Sequence, residues 1–492
     1  MVEHAYFDTL EAATAGAIVA GVDAAYENVN GIQAALRAGL ADGTLPRAQL
    51  DRAVQRLLLT RFRLGEFDSN NPANPFRGPY DVSELDGVVH RKIARDAAAA
   101  SLVLLENRAN VLPLTTLPPQ LAVMGSFSNC RIVQGDYGGH DRDAAPDQCG
   151  AYTCSYGHSY SGSTSSVSTY LSAAQDEAGN SSKVQWVQGS QAHTICGSDG
   201  VTAAVALARA SGLVIFIAGL GSEIEVEGTD RTSLELPLAQ AELLANVSAA
   251  VGANRIVLLL VSGGPVDVDP ALASTILWTG YPGEEAGHAL MDVIMGRIAP
   301  SGRMPLTVYT NAYLGLVGPV ADFNMVSHGV GRTYKYYLNA TQRGLAPQPR
   351  YWFGYGLSFG AFQYKSPTAV QTADGSVQVD VDVSYTGTHW PAVQTIREVI
   401  QVYVTVPQVQ GLLTAPYKLC AAVVRTLSQG AAPPTIHVTA AVPLTELYTY
   451  ADDGTRNITK GTYTFWISGH APFDALGIAR ASNVVNVSVA LG

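Results

Sequence analysis

The stretch LVIFIAGLGSEIEVEGTDR, Leu213–Arg231, decides the architecture. Its first part, Leu213–Ala218, is apolar at every position. A strand with one wet face alternates, whereas a strand with no polar position is buried on both faces, as in a parallel sheet covered by helices. Further strand candidates are Leu102–Leu105, Leu121–Met124, Val184–Val187, Ile256–Val261 and Ile276–Trp278. Helical stretches at Val201–Ala210, Pro237–Val251 and Glu284–Gly296 alternate with them. This alternation predicts an α/β sandwich with a mostly parallel sheet over residues 88–315. In such sheets, binding and chemistry sit at the carboxyl ends of the strands.

Toward the N-terminus, residues 1–75 read as helical. Pro46 suits a first helical turn. Behind it Leu50, Ala53, Val54, Leu57, Leu58 and Arg61 recur at the spacing of one helix face, up to Leu64-Gly65. The Pro/Asn-rich SNNPANPFRGPY, Ser69–Tyr80, marks a domain boundary. Toward the C-terminus the period switches to two: Val377, Val379, Val381, Val383 and Tyr385 alternate with polar residues. With Val399–Val406, Thr435–Val442, Tyr463–Ile467 and Val484–Val489, this predicts an antiparallel β-sandwich of immunoglobulin or fibronectin type III size in a domain spanning 346–492.

The chain has 492 residues, 41 Asp+Glu against 30 Lys+Arg, and a formal net charge of -11. That balance excludes nucleic acid and anionic membrane as main partners, since both attract basic surfaces. The longest apolar runs fall well short of the about 20 residues a bilayer crossing needs. MVEHAYFDTLEAATAG at the start has no basic region ahead of an apolar one, so it is not a signal peptide. Five cysteines are too few for a disulfide scaffold, although Cys130, Cys149 and Cys154 cluster. Sequons at Asn180, Asn246, Asn339, Asn457 and Asn486 favour a secreted protein.

The loop after the deciding strand carries the chemistry. Glu223, Glu225 and Glu227 alternate with Ile224 and Val226, which puts three carboxylates on one side of an extended segment. Like charges that close raise at least one pKa, as a general acid requires. Asp230 and Arg231 are placed to orient and partly neutralise the group. A solvated edge strand and a metal site remain the competing readings of the same residues. Gly219-Leu-Gly221 and Ser262-Gly-Gly264 follow strands but complete no phosphate-binding fingerprint, so each reads as a tight turn. His140, Asp141, Asp143, Cys149, Cys154 and His158 match no standard zinc spacing; a Cys149–Cys154 disulfide or a plain loop accounts for them better. No cofactor and no metal is expected. Ser222 and Ser262 lack a nucleophile-elbow context.

Read together, the motifs resemble glycoside hydrolase family 3, in its β-xylosidase branch. RLGEFD (Arg63–Asp68) resembles the exit from that family's barrel, and HRKIARDAAAASLVLLEN (His90–Asn107) the start of its second domain. GLGSEIEVEGTDRTSLELP (Gly219–Pro237) is similar to the xylosidase pattern GLDQSIEAEGxDRTxLxLP. VSGGPVDV (Val261–Val268), YPGEEAGHAL (Tyr281–Leu290), SGRMPLTVY (Ser301–Tyr309), RTYKYY (Arg332–Tyr337) and FGYGLSF (Phe353–Phe359) follow in family order. The resemblance implies a remnant of a (β/α)8 barrel at 1–75, an α/β sandwich carrying the acid/base loop, and a C-terminal fibronectin type III-like β-sandwich.

Chemically the resemblance implies retaining hydrolysis of β-linked oligosaccharides, xylo-oligosaccharides foremost, by two carboxylates about 5–5.5 Å apart. One attacks the anomeric carbon while the other protonates the leaving oxygen. The family's EAE matches Glu225-Val226-Glu227, so Glu225 is the expected acid/base and Glu227 the alternative, with Asp230 and Arg231 behind them. The family's nucleophile motif, SD[WC], lies upstream of the stretch resembled by His4–Tyr6, and Asp8 matches no part of it. A (β/α)8 barrel takes about 200–250 residues, more than precede the second domain. The expectation is therefore a chain without its nucleophile: part of a secreted β-xylosidase, an inactive paralogue that binds carbohydrate or protein, or one half of a site completed by another polypeptide. Gly221 replaces an acidic residue of the pattern, and Glu106 replaces the Lys of the usual LLKN.

Overall fold

The computed structural model describes residues 7–24, 29–68, 74–75, 86–129, 167–190, 199–221, 224–225, 231–318, 322, 324–387, 396–427, 435–451 and 454–492. The chain falls into two compact units, Met1–Gly87 with Gly318–Ser327, and Val88–Val317 with His328–Gly492.

Among its described residues the first unit contains the helices α1 (Leu10–Ala20), α2 (Val29–Asp42) and α3 (Arg47–Arg63). Thr9 caps α1 by accepting the Ala12 amide (3.1 Å), and Gly21 ends it in the left-handed region. Ala15, Ile18, Leu45 and Ala53 form a small core, with Leu36, Leu40 and Leu50 against it. The amphipathic face expected on α3 is only partly used. Ala53 is buried and Leu50 half-buried, whereas Val54, Leu57 and Leu58 are exposed. The physical reason is that the small core takes up Ala53 and Leu50 from α3 and none of the apolar residues beyond them.

The second unit begins with α4 (Val88–Ser101) and β1 (Val103–Asn107). There follow β2 (Leu121–Met124), α5 (Tyr170–Ala178), β3 (Val184–Val187), α6 (Gly200–Ala210), β4 (Leu213–Gly219) and α7 (Leu238–Val251). The α/β part closes with β5 (Ile256–Val261), β6 (Thr275–Trp278) and α8 (Ala286–Ile294). These strands form one sheet in the order β1-β6-β5-β4-β2-β3. Its ladders are parallel except that of β1, which pairs antiparallel with β6. β2, β4, β5 and β6 are buried at every residue, as an uninterrupted apolar run requires. Stepping from β2 to β3 and then back to β4 reverses direction, so right-handed crossovers send α5 to one face and α6 with α7 to the other. The pairing of α5 with α8, and of α6 with α7, agrees.

After α9 (Thr333–Gln342) come β7 (Phe362–Gln371), β8 (Val377–Tyr385), β9 (Ile396–Thr405), β10 (Lys418–Leu427) and β11 (Thr435–Val442). A small hairpin, β12 (Thr449–Tyr450) with β13 (Arg456–Asn457), precedes β14 (Gly461–Ser468), α10 (Ala475–Arg480) and β15 (Val485–Leu491). Two antiparallel sheets result, β10-β9-β14-β15 and β11-β8-β7. Their inner faces meet through Val379, Val381, Val383, Val402, Phe465 and Ile467, all buried. The two parts of this unit are tied together by buried ions. Arg303 donates to Glu398 of β9 (2.7 Å) and to the Gly469 carbonyl (2.7 Å). Glu106, at the position where the family carries Lys, is buried and receives Arg480 Nη1 of α10 at 2.5 Å and the Tyr351 hydroxyl at 3.2 Å. Among the described residues no helix is long and apolar enough to cross a membrane.

Candidate functional site

The site is built where β4 and β5 end. Gly219 of β4 lies opposite Val261 of β5, so the turns that follow the two strands start side by side. The register is tight: a Cβ on Gly219 would stand 1.8 Å from the Val261 carbonyl oxygen. Gln240 of α7, wholly buried, grips the same residue. Its Nε2 donates to the Gly219 carbonyl and its Oε1 accepts the Gly219 amide, both at 2.9 Å. The Leu220 amide donates to the Val261 carbonyl (2.8 Å), which fixes where the loop leaves the sheet.

Of the three acids expected along an extended segment, Glu225 falls among the described residues. Ile224 and Glu225 both donate their amides to the Gly221 carbonyl (2.9 and 2.8 Å), which makes a tight helical turn. The Glu225 side chain thereby reaches across to the turn after β5. Its Oε2 accepts the Gly263 amide (2.7 Å) and its Oε1 the Gly264 amide (2.8 Å). The Tyr281 hydroxyl stands 2.7 Å from Oε2 and 2.9 Å from the Leu220 carbonyl. It has one proton for two acceptors, and the shorter contact, to the carboxylate, takes it. Arg231 Nε lies 3.7 Å from Oε1, while its Nη2 donates to the Pro265 carbonyl (2.9 Å).

Ser262-Gly-Gly264, read from sequence as a tight turn, is a carboxylate cradle. A Cβ on Gly264 would stand 2.7 Å from Glu225 Oε1 and 2.8 Å from Arg231 Nη2, so only glycine admits both side chains. Ser262 stiffens the cradle by donating to the Gly264 carbonyl (2.8 Å) and accepting the Trp278 indole N–H (3.0 Å). The structure thus brings Glu225 and Arg231 together. Glu223, Glu227 and Asp230 lie outside the described residues, as do the clustered Cys130, Cys149 and Cys154 with His140, Asp141, Asp143 and His158. Gly263, Gly264, Tyr281 and Gln240 are the contributors that sequence reasoning missed. Beside the loop, Leu220, Ile224, Arg231, Leu236, Asp267 and Leu272 line a cavity of about 670 Å³.

A second cluster of charge joins α4, α5 and α8. Arg95 and Arg297 hold Asp292 from two sides (each at 2.5 Å), and Arg297 also reaches Glu177 (2.7 Å). Burial pushes the Asp292 carboxyl up, but hydrogen bonds from Arg95 and Arg297 bring it below its ordinary value. With every carboxylate matched by a guanidinium, the cluster reads as a staple between helices.

The model of the glycosyl hydrolase family 3 C-terminal domain matches residues 102–359. The chain belongs to glycoside hydrolase family 3. Among its relatives are probable beta-D-xylosidase 6 of Arabidopsis thaliana, 33% identical over 380 residues, and exo-1,4-beta-xylosidase xlnD of Aspergillus niger, 31% identical over 401. These alignments cover 73% and 78% of this chain but only 42% and 44% of those proteins. The chain therefore spans less than half the length of the curated relatives it matches. A solved family 3 exo-beta-xylosidase, XlnD, in complex with a xylobiose aziridine probe, matches 99% of the chain with a TM-score of 0.73 at 23% identity, covering 59% of that structure. The beta-glucosidase from Listeria innocua with isofagomine matches 100% of the chain with a TM-score of 0.72 at 21% identity, covering 62% of that structure. The last two show the fold.

Proposed function

We propose that the protein serves exo-acting β-xylosidase chemistry, the release of terminal sugars from β-linked xylo-oligosaccharides by a retaining two-carboxylate mechanism. Its own contribution is the acid/base loop, with Glu225 and Glu227 as the two carboxyls concerned and Arg231 and Asp230 behind them. The observation that carries this reading is the position of the loop: a glutamate-bearing turn at the carboxyl end of a central parallel strand, in a chain whose relatives are named as xylosidases. In a retaining reaction one carboxyl protonates the leaving glycosidic oxygen as the anomeric carbon is attacked from the opposite face, then deprotonates the incoming water. No residue among these 492 is assigned the nucleophile. We read residues 1–75 as the closing helices of a (β/α)8 barrel, 88–315 as the acid/base domain, and 346–492 as a fibronectin type III-like module. Secretion is part of the same reading, and the sequon asparagines Asn180, Asn246, Asn339, Asn457 and Asn486 are all exposed.

The test is hydrolysis of an aryl β-xyloside by the purified chain, with Glu225→Gln and Glu227→Gln as controls, alongside covalent labelling by a 2-fluoro-xyloside. The chain alone is expected to be silent and unlabelled. Labelling would show a nucleophile within it and overturn that assignment. Xyloside binding without turnover by the folded chain would instead favour a carbohydrate-binding role.

A further inference from the structure

We propose that the turn at Gly263–Gly264, with Tyr281, is a carboxylate-binding cradle that docks the acid/base loop onto the sheet through Glu225. Glu225 is then a positioning residue rather than the proton donor. The naming of what is positioned rests on the glycosidase reading above; the docking itself does not.

Both Glu225 oxygens are already committed. Two backbone amides address them one each, at 2.7 and 2.8 Å, and the Tyr281 hydroxyl adds a contact at 2.7 Å. Three hydrogen bonds fill three of the carboxylate's about four acceptor sites inside the protein, and turning either oxygen toward a leaving group would break at least one of them. A proton donor needs the opposite arrangement, one oxygen free and directed at the substrate. The amides are also poor switches. They belong to a turn that Ser262 and Trp278 brace from behind, next to a strand with no exposed residue. What such a cradle does well is hold a charge in place. The grip is repeated at the root of the loop, where Gln240 closes two hydrogen bonds on Gly219, and at its far end, where Leu234 donates its amide to Asn311 Oδ1 (2.8 Å). The loop is thereby pinned at its root, at Glu225 and at its exit.

Hydrogen exchange on the full chain tests the docking. Glu225→Ala empties the cradle, and the Gly263 and Gly264 amides are expected to exchange about tenfold faster, the worth of a charge-assisted bond. Sodium formate is expected to slow them again, because formate presents the same two oxygens to the same amides, whereas sodium chloride at equal ionic strength is not. Glu225→Gln keeps one acceptor oxygen and puts an NH2 donor in place of the other, so one of the two amides should exchange faster and formate should give no rescue. Should these variants fail to fold, Tyr281→Phe removes a single hydroxyl, and trypsin cleavage after Arg231 should accelerate several-fold. Unchanged exchange in Glu225→Ala, fast exchange that formate does not slow, or an unchanged cleavage rate in Tyr281→Phe would each overturn the proposal. Exchange reports docking whether or not glycosides are turned over, so xyloside results that contradict the functional reading leave this one standing.

Discussion

Replacing Arg303 by Met should cost the second unit more than any surface change, and the cost should depend on pH. The Arg303 and Glu398 side chains are 9% and 1% exposed and meet at 2.7 Å. Methionine keeps most of the stem and removes every donor. Glu398 is then left in the sandwich core with the Tyr364 hydroxyl, at 2.6 Å, as its remaining hydrogen bond. Breaking a buried pair by removing one partner costs about 3–5 kcal/mol. Burial raises the Glu398 carboxyl above its ordinary value, and the charge on Arg303 pulls part of that back. A carboxyl raised in the folded state binds its proton more tightly there than in the unfolded chain. Stability therefore falls as pH rises from the unfolded value, about 4.3, through the folded one. Without Arg303 the folded value climbs further, so the deficit of the variant is largest at neutral pH and shrinks in mild acid, where Glu398 takes up a proton. Urea unfolding followed by far-UV circular dichroism at both pH values measures it. Arg303→Met with Glu398→Leu should recover most of the loss, since no charge is left stranded. A deficit below about 1 kcal/mol, the level of an exposed pair, or one independent of pH, would refute the reasoning.

Gly219→Ala forces a Cβ to within 1.8 Å of a backbone oxygen and should cost more than about 4 kcal/mol, the range reserved for severe overpacking. Gly315→Ala, where a Cβ meets nothing within 4 Å, should stay within about 0.5 kcal/mol; thermal melts compare the two. Cys420 is buried, and burial pushes its thiol well above the ordinary range. Peptide mapping after maleimide treatment should find it labelled only once the protein is unfolded. In a host that glycosylates, the exposed sequon at Asn246 should carry a glycan, seen as a mass lost on enzymatic deglycosylation.

The parts of the fold legible in the sequence were those in which one physical requirement dominated. β4 and β5 are buried on both faces, so nothing polar interrupts them, and their positions followed from composition alone. β8 has one wet face and one dry one, and its period of two was equally plain. The misses are places where local pattern and tertiary role disagree. β7 contains Pro367 and a register shift beside Ser366, whose φ is 53°, so its alternation breaks midway. β10, KLCAAVVRTL, lies at the edge of its sheet, and apolar residues such as Val424 point outward, which blurs the pattern. At the site, the sequence marked both Glu225 and Ser262-Gly-Gly264 but kept them apart. Their union depends on β4 and β5 being neighbours in register. That neighbour relation was implied by two buried strands flanking one helix, and it was the signal available for joining the two motifs. The extended segment expected over Glu223–Glu227 lies largely outside the described residues.

The antiparallel edge strand β1 has a consequence for the birth of the protein. Val103 pairs with Trp278, about 175 residues later in the chain, and Leu104 also meets Leu357. At a synthesis rate of about 5–20 residues per second, β1 waits roughly 9–35 s for its partner to leave the ribosome. Throughout that time Val103–Leu105 is a bare apolar ribbon with open hydrogen bonds along both sides, the form most prone to pairing with the wrong chain. Chaperone contact with this segment during translation should therefore fall when β6 is made, and fall again once Leu357 has followed.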